Sequence, residues 1–318
     1  MAPESRTLTG LAPAKLNLGL AITGRREDGY HELRSVFLRI GLWDRLQAAI
    51  LPGAAADRLT VVGDSDCPVE GNIVLRAVEM LRQAVGTSLP TFELHLEKAV
   101  PIGAGLGGGS SDAAAALDLC VALSGIEPGL IPMERIRREL GADVSFFAAG
   151  TPAALVSGIG ERVRSLPGVR GDAGVLLASP ASKLATADVY AEYDRLGPQA
   201  APGDAEAVVD ELAGALEEGL DGAGIASFAH RLRDANDLWP AAASLAPELA
   251  DLRADLERSL DRPVLLSGSG SSLFGLYASA QDAVDAGAQL ASNHPGRFGA
   301  LRLTALGVSI DHPPRRFS

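Results

Sequence analysis

The chain has 318 residues, 47% of them hydrophobic and 21% charged, which is enough for a sizeable core and for two domains. Its 28 lysines and arginines stand against 40 aspartates and glutamates, a formal net charge of −12 that argues against nucleic acid or an anionic membrane as partner, because both need broad basic surface. Two distant cysteines give no metal-ligand pattern, the N-terminus lacks the apolar core of a signal peptide, and no stretch reaches the ~18 apolar residues of a membrane span, so a soluble cytoplasmic protein is expected.

In chain order, Ala12–Leu20 alternates apolar and polar residues and reads as a strand, with Lys15 and Asn17 on one face and Leu16 and Leu18 on the other. A strand lysine is ordinarily just solvated, but Asn17 two residues on turns a second polar group toward the same surface. Strands are expected at Leu46–Leu51 and Leu59–Val62, then a helix over Ile73–Val85 that Asn72 could cap. Strand Thr91–Leu96 leads into Pro101-Ile-Gly-Ala-Gly-Leu-Gly-Gly-Gly-Ser-Ser111, and a helix follows through Leu123, with Ser110 or Ser111 as its cap. Met133–Leu140 makes a short helix between Pro132 and Gly141, and Asp143 stands just before an apolar run. A domain boundary is expected just after Gly150. Beyond it come strands Ala153–Val156 and Gly174–Ala178, a Pro/Gly/Ala-rich loop from Gly197 and acidic helices. Strands return around Gly268 and at Leu301–Leu306.

The glycine segment carries the chemistry. Glycines let the backbone approach an anion closely, and the free N–H groups of the following helix point at the same place. A Walker-type loop is excluded, since it ends in Gly-Lys-Ser/Thr and no lysine occurs between Pro101 and Leu117. Gly103, Gly105 and Gly108 satisfy the dinucleotide fingerprint, but Glu127, near where its ribose-binding acid is due, sits in a turn-like stretch. A plain surface turn before a helix is the remaining reading. Leu266-Ser-Gly-Ser-Gly-Ser-Ser272 likewise reads either as a hairpin turn or as a second loop packed on the first.

Pro13-Ala-Lys-Leu-Asn-Leu18, Asp28-Gly-Tyr-His31, the glycine segment, Gly141-Ala-Asp-Val144 and Leu266–Ser272 occur in the order found in the GHMP kinase superfamily, which the chain resembles from about Leu11 to about Leu306. The resemblance implies an α+β fold of two domains with the active site in the cleft between them. Residues 1–152 would form a ribosomal-protein-S5-like α/β domain, and residues 153–318 a ferredoxin-like α+β domain. It also implies ATP and Mg2+ as cofactors, with the metal ligands unassigned. The activity implied is ATP-dependent phosphorylation of a cytidylyl-linked polyol in a non-mevalonate route to isoprenoid precursors.

By the same resemblance Lys15 and Asp143 are catalytic, Asp143 accepting the proton of the substrate hydroxyl and Lys15 holding that carboxylate. Nucleotide binding is assigned to Asn72 and to Pro101, Ile102, Gly103, Ala104, Gly105, Leu106, Gly107, Gly108, Gly109, Ser110 and Ser111. Substrate binding falls to Asn17, Tyr30, His31, Phe37, Thr186 and Tyr190, the aromatics supplying flat faces for a pyrimidine in a chain that is only 4% aromatic. Because both ligands are anions and the chain is acidic, positive charge must be local, and Lys15, Arg25, Arg26 and Lys98 are the candidates. Ser145 stands where many members carry proline. The partners expected are small molecules only, with the chain a monomer or a homodimer. Two readings stay open behind this one: a GHMP kinase for another small alcohol such as homoserine, and a dinucleotide-binding oxidoreductase or non-catalytic nucleotide module.

Overall fold

The computed structural model describes residues 6–63, 67–86, 89–180, 182–198, 204–293 and 302–307. The N-terminal residues up to Ser5, residues 199–203 of the loop expected from Gly197, and Leu301 lie outside them.

The backbone of the first half is a long antiparallel pair, β1 (Thr7–Arg25) and β2 (His31–Ile50), which runs from Thr7 opposite Ala49 to Arg25 opposite His31 with register shifts after Pro13, Leu18 and Ile22. Then come β3 (Arg58–Val62), α1 (Ile73–Val85), β4 (Phe92–Glu97), α2 (Gly108–Ser124), α3 (Met133–Leu140), α4 (Val144–Ala148), β5 (Ala153–Gly158) and β6 (Arg162–Leu166). The first sheet runs β3-β4-β2-β5-β6 with β1 on β2; β3 and β4 are parallel and joined through α1. The second half holds β7 (Gly174–Ser179), α5 (Thr186–Leu196), α6 (Asp204–Glu218), α7 (Gly222–Leu232), α8 (Trp239–Leu245), α9 (Pro247–Leu260), β8 (Leu265–Leu266), β9 (Leu273–Tyr277), α10 (Ala280–Asn293) and β10 (Arg302–Gly307). Its sheet is antiparallel, in the order β10-β7-β9-β8. Among the described residues no helix is long and apolar enough to cross a membrane.

Alternation along β1 and β2 divides the core. Leu16, Leu18, Val36 and Leu38 face one side, where they pack with Val175, Leu177, Leu212, Ile225 and Phe274 of the second half. Phe37, on the opposite face, joins the core built from α1, α2 and α4. Lys15 pairs with Arg39 and Asn17 with Phe37, so these four share that face. The center of β1 is therefore buried on both sides, and each leucine there contributes about 1.5–3 kcal/mol of apolar burial. Alanines at 113, 114 and 116 let α2 lie close against the sheet.

One expectation needs correction. Helix α2 starts at Gly108 and is capped by Gly107 in the left-handed conformation (φ 70°) with no side-chain cap, so Ser110 and Ser111 stand within its first turn. The glycine provides the chain reversal that a serine cap would otherwise have made. The first sheet continues past residue 152, because β5 pairs with β2 and β6 with β5, carrying the layer to Leu166. The apolar run after Asp143 forms the helix α4, and the strand expected at Leu46–Leu51 is the end of the 20-residue β2.

Candidate active site

A cavity of about 500 Å³ opens where the glycine segment, the center of β1 and the loop between β8 and β9 meet. The first intrahelical bond of α2 runs from Ser111 N–H to the Gly107 carbonyl at 3.0 Å, so the N–H groups of Gly108, Gly109 and Ser110 have no helical acceptor. All three residues line the cavity, at the positive end of a 17-residue helix. The Ser111 hydroxyl is buried with no hydrogen-bond partner among the described residues.

The second glycine loop closes tightly on the first. Ser272 N–H donates to the Ala104 carbonyl at 3.2 Å, and the Ser267 hydroxyl donates to the Gly105 carbonyl at 3.0 Å. A Cβ on Gly105 would lie 2.3 Å from the Ser267 carbonyl oxygen. Asn236 holds the second loop in turn, donating to the carbonyls of Leu266 and Gly268 at 3.2 and 2.9 Å.

On the floor of the cavity, Lys15 Nζ donates to Asn17 Oδ1 at 2.5 Å and to the Gly105 carbonyl at 3.0 Å. It lies 3.6 Å from Asp143 Oδ2, an ion pair too long for a hydrogen bond, and 4.7 Å from the center of the Phe37 ring. Burial pulls the Lys15 ammonium below its ordinary range, opposed by the charge of Asp143. Asn17 is fixed by donating to the Ser35 hydroxyl at 3.1 Å. Asp143, 27% exposed, keeps its carboxylate free of any capping bond to α4. At the other end of that short helix, Arg39 Nη2 donates to the Phe147 carbonyl at 2.6 Å, where a cation suits the negative end of the dipole.

Beneath the glycine segment, Lys98 bridges Asp44 and Asp112, the latter at 2.8 Å. Burial, with Asp44 adding to it and Lys98 opposing, pushes the Asp112 carboxyl up to about 8, while the two acids together hold the Lys98 ammonium above its ordinary value. The native state thus keeps a proton that the unfolded chain releases near pH 3.8. This contribution to stability is complete below about pH 4 and is lost as the pH rises toward 8. Melting temperatures measured from pH 6 to 9 should therefore decline, and Asp112→Asn should flatten the decline; equal slopes in the two proteins would disprove it.

Phe37, Thr186 and Tyr190 line the cavity, whereas Tyr30 and His31 stand outside its lining, Tyr30 being 62% exposed. His31 is joined to the cavity through Tyr190, on which it stacks with ring centers 5.1 Å apart. Burial, then the nearby Asp143, pushes the Tyr190 hydroxyl up, so it stays protonated. Thr186 and Ser269 exchange a hydrogen bond at 3.0 Å. Asn72 also lines the cavity, but its amide is engaged as the cap of α1: Oδ1 accepts from Val74 N–H at 3.0 Å and Nδ2 donates to the Pro68 carbonyl at 2.8 Å. Of the expected cations, Arg26 pairs with Asp28 at 2.9 Å on the surface and Arg25 lies 3.4 Å from Asp194.

Sequence reasoning missed Asp194, Asn236, Arg39 and Asp44. Asp194, 2.7 Å from His31 Nε2, was detectable as the residue four beyond Tyr190 on one helix face. The others act on partners about 30 to 110 residues away, for which no local pattern exists.

The free N–H groups of Gly108, Gly109 and Ser110 fit a polyphosphate lying along the glycine segment, whereas Ser111, which the sequence assigned to the same role, is buried outside the cavity lining. For a metal the fit differs: among the described residues no group of three or more acidic, histidine or cysteine side chains is placed to hold one.

Comparison with known proteins agrees with this geometry. The GHMP kinases N terminal domain matches residues 72–151, and the GHMP kinases C terminal domain matches residues 205–296. The 4-diphosphocytidyl-2-C-methyl-D-erythritol kinase of Parvibaculum lavamentivorans is 37% identical over 313 residues, covering 95% of this chain and 99% of that protein. The enzyme of the same name from Streptomyces coelicolor is 37% identical over 287 residues, 88% and 90% of the two chains. Among solved structures, 4-(cytidine 5'-diphospho)-2C-methyl-D-erythritol kinase superposes with a TM-score of 0.68 at 33% identity, covering 95% of this chain and 100% of that one. A homoserine kinase from Cytophaga hutchinsonii shares the fold at a TM-score of 0.66, with 16% identity over 98% and 96% of the two chains.

Proposed function

The chain belongs to the 4-diphosphocytidyl-2-C-methyl-D-erythritol kinases of the GHMP kinase family, and from that premise we propose how its residues divide the work of phosphorylating the 2-hydroxyl of that substrate. The observation that carries the reading is the Lys15–Asp143 pair at 3.6 Å, facing the free N–H groups of α2 across Gly107, whose Cβ would lie 3.2 Å from Lys15 Cε.

ATP supplies the phosphoryl group, and magnesium bound with it supplies charge neutralization. The N–H groups of Gly108, Gly109 and Ser110 hold the phosphates. Asp143 orients the hydroxyl and accepts its proton as the new O–P bond forms and the bond to the departing diphosphate breaks. Lys15 keeps that carboxylate ionized and meets charge on the transferring group. Transfer through a loose transition state asks mainly for such alignment and charge stabilization. Tyr190, Phe37 and Thr186 form the substrate wall, and the Tyr190–His31 stack extends it toward Tyr30 for the cytosine. A cytoplasmic location, where ATP is supplied, belongs to the same reading.

ATP consumption measured with magnesium and 4-diphosphocytidyl-2-C-methyl-D-erythritol, beside homoserine and mevalonate, tests it. Turnover on the cytidylyl substrate alone is the expected result. Turnover on homoserine instead would keep the kinase and remove the assignment of Tyr30, His31 and Tyr190.

A further inference from the structure

Asp44, Lys98 and Asp112 touch both ends of the glycine segment. One oxygen of Asp44 accepts the backbone N–H groups of Ala99 and Val100, at 2.6 and 2.8 Å, immediately before Pro101. The other accepts from Lys98, whose ammonium reaches on to Asp112, one turn into α2 beyond the segment. All three side chains are at most 3% exposed. The two ends also meet directly: a Cβ on Gly108 would lie 2.9 Å from Val100 Cγ1 and 3.4 Å from Lys98 Nζ.

Three buried ionizable groups are a costly way to join two backbones, since apolar side chains of similar volume commonly serve stability as well. What charged hydrogen bonds add is fixed direction and distance. N–H groups aimed at an anion bind it best when nothing must be ordered on its arrival. We propose that Asp44, Lys98 and Asp112 form a buried clasp, anchored on β2, that presets the separation of the two ends of the glycine segment, and that they are positioning residues for the nucleotide phosphates. The proposal rests on the ATP reading above.

Asp112→Ala cuts the tether to α2 and leaves Lys98 and Asp44 paired. It should raise the Kd and KM for ATP about tenfold, the worth of one hydrogen bond to a charged group, with kcat within about twofold. Asp112→Asn, which retains an acceptor for Lys98, should recover most of that loss. A folded Asp112→Ala protein with unaltered ATP affinity would overturn the clasp. Hydrogen exchange on the parent chain supplies a test that needs no variant: the amides of Ala99 and Val100 should be protected before nucleotide is added. Unprotected exchange that slows only with ATP would show a segment ordered by its ligand and would also overturn the clasp. Failure of the parent chain to bind ATP at all would instead strike the nucleotide reading, and the clasp with it.

Discussion

Asp143→Ala should lower kcat for phosphoryl transfer about 100-fold or more, the usual worth of a positioned general base, while the KM for ATP changes little. The split follows from the geometry. Asp143 pairs with Lys15 and makes no capping bond to a helix, so its loss leaves the N–H groups of Gly108, Gly109 and Ser110 in place. The loss also removes the charge that opposes the effect of burial on Lys15, and the Lys15 ammonium then gives up its proton more readily. The two residues should consequently act as a unit. Asp143→Ala combined with Lys15→Met should cost little more than either change alone, and a double-mutant cycle in kcat measures this. Asp143→Asn separates the roles within the carboxylate, because the amide can orient a hydroxyl but cannot take its proton. Near-normal turnover by Asp143→Ala would remove the residue from the mechanism.

Gly105→Ala should be the most damaging single methyl group in the site. At φ +77° an alanine is strained by about 1–2 kcal/mol, and its Cβ would stand 2.3 Å from the Ser267 carbonyl oxygen and 2.9 Å from that of Gly270. Those neighbors are backbone, so relief requires the two loops to part, breaking the bonds from Ser272 and Ser267. A total of about 3 kcal/mol or more is expected, seen as a fall in Tm of roughly 5 °C together with loss of ATP binding. Thermal melts and a nucleotide titration check this; an unchanged Tm would mean that the loops are not in hard contact.

Much of the site was readable before the fold was known. The alternation through Lys15 and Asn17, the glycine segment and the acid before an apolar run all converge on one cavity. Helices α1 and α3 begin and end where Asn72, Pro132 and Gly141 indicated, because caps are local chemistry. What escaped was non-local. That Asp44 holds the backbone at Val100, or that Asn236 holds Gly268, depends on which segments the sheets bring together. Ser110 and Ser111 misled as caps because a left-handed glycine can reverse the chain without any side chain, so the serines lost the role their residue type usually takes. The continuation of the first sheet was hidden for a similar reason: Gly150 and Pro152 mark a turn, and only the pairing of β5 with β2 shows that the sheet runs on beyond it.

The attachment of β1 to the loop before β9 also governs when the protein can first work. Asn17 N–H reaches the Ser267 hydroxyl at 3.4 Å, and Leu20 bridges to Asn236, so β1 waits during synthesis for partners about 220 to 250 residues downstream. At ribosomal speeds that interval is on the order of tens of seconds. During it, the Lys15 face of β1 has no second loop to close over it. A nascent chain released before Ser272 would therefore carry the glycine segment and both reacting side chains yet lack half of the enclosure. Growing chains should stay silent toward ATP until the loop between β8 and β9 leaves the ribosome.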